Sequence, residues 1–173
     1  VARRTSSDLR TPRFSPVADG QAQPETRTVV NSAGRSEAGA LGASWAGAAG
    51  FAGLAIDEAR NDYGVTVEPD VTIRMKRSKL QAAGEWRGLG GWLSSVSAQA
   101  SHTRYQHQEV EGTGEVGTTF KSRGQELRLQ AQLAPMAALG GTLRSVVGVQ
   151  AERLAFSALG EEAFVPGTLS RSQ

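Results

Sequence analysis

"ALGASWAGAAGFAGLAI", from Ala40 to Ile56, carries no charged residue. With Ala38 and Gly39 in front of it, the uncharged stretch reaches the roughly 20 residues that one helix needs to cross a bilayer. It is poorly built for that task. Gly42, Gly47, Gly50 and Gly53 interrupt it, and Leu41, Phe51, Leu54 and Ile56 supply most of its hydrophobic mass. The other reading is a pair of strands folded back on each other, and the neighbouring sequence decides between the two.

Further along, "KLQAAGEWR" places Leu80, Ala82, Gly84 and Trp86 on one parity and Lys79, Gln81, Glu85 and Arg87 on the other. "QELRLQAQLA" does the same, with Leu127, Leu129, Ala131 and Leu133 against Glu126, Arg128, Gln130 and Gln132. "TLRSVVGVQAE" sets Leu143, Val147, Val149 and Ala151 against Arg144, Gln150 and Glu152. A period of two marks a strand with one apolar and one polar face, which a helix would have mixed. Strands on all sides leave a lone membrane helix without a place, so Ala40–Ile56 is expected to be a hairpin that turns at "AGAAG".

Connections between the strands are expected to alternate. "GLGG" (88–91) and "APMAALGG" (134–141) are short and nearly uncharged, whereas "NDYGVTVEPDVT", "QHQEVEGTGEVGTT" and "FSALGEEAFVPGT" are longer and acidic. Trp86 and Trp92 flank one short turn, and Trp45 and Phe51 flank another, all read as apolar-face residues. Amphipathic rings favour a membrane interface. Alternating loops, aromatic girdles and strands with one apolar face describe an antiparallel up-and-down transmembrane β-barrel segment of about six to eight strands. A soluble antiparallel sheet with one wet face alternates in the same way, so a soluble all-β ligand-binding module stays open as the alternative.

Composition narrows the classes. Nineteen Lys and Arg against 17 Asp and Glu give a net charge of +2, and no basic cluster is interleaved with aromatics, which argues against nucleic acid as a partner. The chain has no cysteine, which excludes disulfides and thiolate metal sites. Twenty-one glycines and 6% aromatics leave little bulk for a conventional core. With only two histidines, both placed on one strand, no nucleophile, base and orienting acid can be assembled, and no catalytic residue is expected.

The segments "NSAGRSEAGALGASWAGAAGFAGLAI…NDYGV", "TRYQHQEVEGTGEVGTTFKSRGQELRLQAQLAP" and "VVGVQAERLAFSALGEEAFVPGT" resemble, in order and spacing, consecutive barrel segments of TonB-dependent outer-membrane receptors, closest to the zinc and siderophore-uptake branch. The resemblance implies a larger barrel of about 22 strands around a plug. It implies placement in the outer membrane of a Gram-negative bacterium, outer-membrane lipid as the surroundings, and energisation by the TonB system through the plug. Residues 1–173 would then be a partial barrel domain without that plug, inert alone, contributing wall and ligand-capture loops.

A metal-ligand pattern sits in "YQHQEVEGTGE". Tyr105, His107, Glu109 and Glu111 share the inward parity of their strand, and an imidazole two residues from a carboxylate on one extended face suits a borderline cation such as zinc. His107, Glu109 and Glu111 are therefore the expected metal ligands, near the outer mouth. His102 has the outward parity, and Glu161 and Glu162 read as a loop turn. The resemblance implies zinc or an iron–siderophore complex as cargo. In the resembled zinc branch a His-rich and acidic loop follows the segment like "DYGV", while only "TVEPDVT" stands here, a departure that cuts against zinc and toward a siderophore or another complex.

Overall fold

The computed structural model describes residues 1–18, 20–160 and 169–172. Among them every regular element is a strand. The chain begins with β1 (Ala2–Ser6) and then a small outlying hairpin. That hairpin comprises β2 (Leu9–Phe14), β3 (Val17–Ala18), β4 (Gln21–Ala22) and β5 (Thr26–Val29), pairing β2 with β5 and β3 with β4. The long strands follow: β6 (Gly34–Gly47), β7 (Gly50–Val65), β8 (Glu68–Arg87), β9 (Leu93–Val110) and β10 (Val116–Leu133). A two-stranded turn of β11 (Met136–Ala138) and β12 (Gly141–Leu143) leads into β13 (Val146–Gly160), and β14 (Leu169–Ser172) closes the series.

One antiparallel sheet holds the long strands in the order β1-β6-β7-β8-β9-β10-β13-β14, so the β6 to β13 wall runs up and down. β1 covers only Gly34–Ala38 of β6, and β14 only Arg153–Phe156 of β13. The rest of each outer edge has no partner strand among the described residues, and the sheet is open there.

The uncharged stretch is a hairpin. β6 and β7 are joined by Ala48 and Ala49 alone, with Leu41 opposite Ile56, Ala43 opposite Leu54 and Trp45 opposite Ala52. Gly50 follows the turn at φ 143°, where an added Cβ would run into the Glu85 carbonyl of β8. The tight turn splits the expected aromatic pair. Trp45 lies on the apolar face, but Phe51 stands opposite Ala46 and Glu85 on the polar face.

Loop lengths also differ from expectation. β7 and β8 run so far that only Thr66 and Val67 separate them, and only residues 111–115 separate β9 from β10. The connection expected to be short, after Leu133, instead carries the β11–β12 hairpin, so Leu143 lies outside β13. Trp92 sits in the 88–92 turn rather than on a strand. Strands of 16, 20 and 18 residues for β7, β8 and β9 absorb what composition had marked as loop. The extension is held by β-ladder pairing, which satisfies backbone groups whatever the side chains are. Asn31, at φ 56°, pins the tight β7–β8 turn from outside: its Nδ2 reaches the carbonyls of Val65, Glu68 and Val71 at 3.1, 3.0 and 2.6 Å.

Register turns the parity of each strand into rows across the sheet. On one face, rows nearest the Ala48–Ala49 end read Gly50, Trp86, Val96, Ala131, Val147; then Trp45, Ala52, Gly84, Ala98, Leu129, Val149; then Ala43, Leu54, Ala82, Ala100, Leu127, Ala151. No polar side chain interrupts these rows. Leu41, Ile56 and Leu80 extend the belt on β6 to β8, while His102, Gln125 and Arg153 end it on the later strands. Toward the other end the same face becomes charged, with Glu58, Arg60, Lys76, Arg104, Lys121 and Arg123.

The opposite face is its complement. Beside the apolar belt it carries Gln81, Glu85, Gln99, Glu126, Arg128 and Gln150. Beyond the belt it turns apolar, with Ile73, Met75, Tyr105, Phe120 and Phe156. On β7 the polar face is the less exposed one: Ala55, Asp57 and Ala59 are half-buried while Leu54, Ile56 and Glu58 are exposed. On the other strands Gln81, Gln99, Glu126, Arg128 and Gln150 of the polar face are exposed as well. Trp45 and Trp86 are 56% and 54% exposed. A soluble sheet buries its apolar face, and among the described residues nothing covers the apolar belt of this one. No second layer covers either face among the described residues, and the chain exposes 12415 Å². A compact monomer of this mass would expose about 8,100 Å².

Candidate functional site at the far end of the polar face

The few buried side chains gather at the end remote from Ala48–Ala49. Ile73, Ala158 and Thr118 are nearly inaccessible there. Pairing explains the gathering: His107 on β9 stands opposite Met75 on β8 and Phe120 on β10, and Phe120 stands opposite Ala158 on β13. One row toward the belt, Tyr105 is opposite Arg77 and Ser122, and Ser122 is opposite Phe156.

Rings organise this cluster. His107 stacks on Phe120 with centroids 4.5 Å apart, Tyr105 meets His107 edge-on at 5.6 Å, and Phe120 and Phe156 are tilted at 6.3 Å. His107 Nδ1 and the Tyr105 hydroxyl are hydrogen-bonded at 3.0 Å. Burial disfavours the charged imidazole, so the His107 pKa is held below its usual value. Burial also raises the Tyr105 hydroxyl above its usual range, with the nearby Tyr63 adding to the rise. At neutral pH the patch therefore presents a neutral imidazole and phenol beside apolar rings.

Below it, on the same face, lies a polar lane. Arg77 Nη2 is 2.6 Å from Asp57 Oδ1, and Gln150 Nε2 donates to Glu126 Oε1 at 3.0 Å. Lys79, Gln81, Gln99, Glu126 and Arg128 border an open groove of about 540 Å³ against the small residues of β6 and β7. Both charge signs and several amides line it, so water wets it at the level where the opposite face is apolar.

The expected ligands are placed as follows. His107 and Glu109 share the polar face of β9, with Glu109 opposite Ile73 and Thr118. Glu111 has left the strand and lies exposed in the 111–115 turn, where its backbone pairs with Glu115. Among the described residues no three His, Asp or Glu side chains converge as a metal site. His102 lies on the other face, where its Nε2 accepts from Arg104 Nε at 3.2 Å, so the two histidines share no site. Glu161 and Glu162 fall outside the described residues.

Sequence reasoning missed Phe120, Phe156, Met75 and Ile73. Each sits on the polar parity of its strand, and that was the available signal: an apolar residue breaking a polar face at the same distance from the hairpin turns. Alignment across strands needs the register, which periodicity within one strand does not give.

The sequence matches no family model and no curated protein.

Proposed function

We propose that this chain is wall and outer mouth of a transmembrane β-barrel receptor in the outer membrane of a Gram-negative bacterium, of the TonB-dependent kind, taking up a metal complex. The observation that carries the membrane part is the exposed apolar belt, backed at the same level by a wetted polar lane and bounded on its own face by charged rows. From Leu80 to the turn residue Leu89 is about ten residues, the length a tilted strand takes through hydrocarbon. Lipid supplies the apolar surroundings that the sheet does not provide for itself.

The ring cluster lies beyond the belt on the lane side, where an incoming ligand meets the barrel first. Its chemistry favours an organic chelate of a metal over bare zinc. A neutral imidazole bonded to a phenol and stacked on Phe120 offers flat apolar contact, while among the described residues His107 and Glu109 gain no third ligand. Coupling to the TonB system through a plug rests on the sequence resemblance. It requires that the parent gene encode a plug and further alternating strands; a reading frame without such flanks removes the receptor part of the reading.

The membrane part is tested by refolding the full chain with vesicles whose acyl chains are brominated. Quenching of Trp45 and Trp86 fluorescence is expected, together with aggregation in detergent-free buffer through the open edges. A chain that sediments as a monomer and unfolds cooperatively in buffer is the soluble ligand-binding module instead.

A further inference from the structure

On the exposed face, just beyond the apolar belt, Arg104 of β9 and Arg123 of β10 are direct register partners. Like charges directly opposite each other on one sheet face repel. In the next row Gln106 has Lys76 on one side and Lys121 on the other. These four cations, with Ser78 and Ser157, border an open groove of about 580 Å³, whose one acidic lining residue is Glu58. None of the four forms an ion pair with a carboxylate among the described residues. Ion pairs do form elsewhere on the sheet, as between Arg77 and Asp57. What sets these four apart is that they stand together in two adjacent rows beside one groove with a single carboxylate in its lining.

We propose that Lys76, Arg104, Lys121 and Arg123 bind the phosphoryl headgroup of a membrane lipid whose acyl chains lie against the belt below. The inference rests on the membrane reading and adds a specific lipid contact to it. Position selects the occupant. Arg104 leans toward the belt through its bond to His102, so an anion held between Arg104 and Arg123 sits at the level where a headgroup meets hydrocarbon. A phosphate offers several acceptor oxygens to divergent guanidinium and ammonium donors, and it removes the repulsion between the two arginines. Ser78 and Ser157 add hydroxyl donors at the groove's rim.

The test uses the full chain refolded in zwitterionic micelles and titrated calorimetrically with dihexanoyl phosphatidate, dihexanoyl phosphatidylcholine and inorganic phosphate. Phosphatidate is expected to bind, with an affinity that falls as salt rises. Each cation removed should weaken it about fivefold, so the pair Lys76→Gln and Arg123→Gln costs about 25-fold and the exposed single variant Lys121→Gln about fivefold. The charge-matched pair Arg10→Gln and Arg27→Gln, on the outlying hairpin, should leave binding unchanged. Inorganic phosphate binding as tightly as phosphatidate assigns the site to a free anion and overturns the lipid. Binding that the Lys76, Arg123 and Lys121 variants do not weaken, or no binding while Trp45 and Trp86 are quenched by brominated lipid, overturns this proposal and leaves the membrane reading standing. Unquenched tryptophans overturn both.

Discussion

His107 and Phe120 face each other across β9 and β10, their rings stacked at 4.5 Å with planes 28° from parallel. This contact places the imidazole in apolar surroundings without removing it from the surface, and it makes the far end of the polar face sensitive to acid. Protonating His107 in the folded chain opposes the burial that lowers its pKa. The unfolded chain then binds more protons than the folded one as pH drops below the ordinary value of 6.5. The contribution to stability is complete above that value and is lost as pH falls through the lowered folded-state pKa. Denaturant unfolding of the micelle-bound chain at a series of pH values should show this loss, and His107→Phe should abolish that part of it. An unchanged pH profile in His107→Phe would show that the imidazole is not the group responsible.

Leu129 and Gln130 are neighbours in sequence and point to opposite faces of β10, one into the belt and one into the lane. In vesicles, Leu129→Arg should cost about 2–4 kcal/mol, the penalty for a cation near the bilayer midplane. Gln130→Arg should stay within about 0.5 kcal/mol, as surface changes do. Urea midpoints of the two variants, compared in the same vesicles, measure the difference. Equal and small effects would remove lipid from the exposed face.

Asn31 reaches three carbonyls around the two-residue β7–β8 turn. Asn31→Ala should cost about 1–2 kcal/mol by leaving partly buried acceptors without a donor. The loss should be local. Hydrogen exchange at the Gly64 amide, which donates to the Ala33 carbonyl, should accelerate, while amides in the middle of β8 and β9 keep their protection. Acceleration throughout the sheet would instead make the clamp a global support.

Gly50 has the backbone of a residue that tolerates no side chain, at φ 143° with the Glu85 carbonyl where a Cβ would stand. Gly50→Ala should destabilise by about 1–3 kcal/mol through strain at the turn. Ala49→Gly, one residue earlier, should cost less than 1 kcal/mol, about the entropic penalty of glycine. Thermal unfolding of the two variants in micelles separates them, and similar losses would contradict the turn geometry.

Much of the wall was legible in the chain. Alternation around Leu80–Trp86 and Leu127–Leu133 identified both the strands and their two faces, because side-chain direction in a strand depends only on parity. The hairpin at Ala40–Ile56 followed from its glycines and from its neighbours. Loop lengths were not legible: acidic and glycine-containing stretches such as "NDYGVTVEPD" read as loop by composition, yet backbone pairing carries β7 to Val65 and starts β8 at Glu68. The site was legible in part. His107 and Glu109 were assigned to one face from parity alone, but Phe120 and Phe156 looked like isolated exceptions on polar strands.

Sequence by itself therefore determined that this is a sheet with one apolar and one polar face, since periodicity is a property of each strand separately. Tertiary structure decided which residues meet across strands, because register is set by the turns and by pairing over the whole sheet. Register shows that the exchange of character seen along single strands lines up across the sheet, apolar belt giving way to cations on one side and polar lane to stacked rings on the other. It is also register that sets Arg104 against Arg123 and His107 against Phe120, two pairs that no single strand contains.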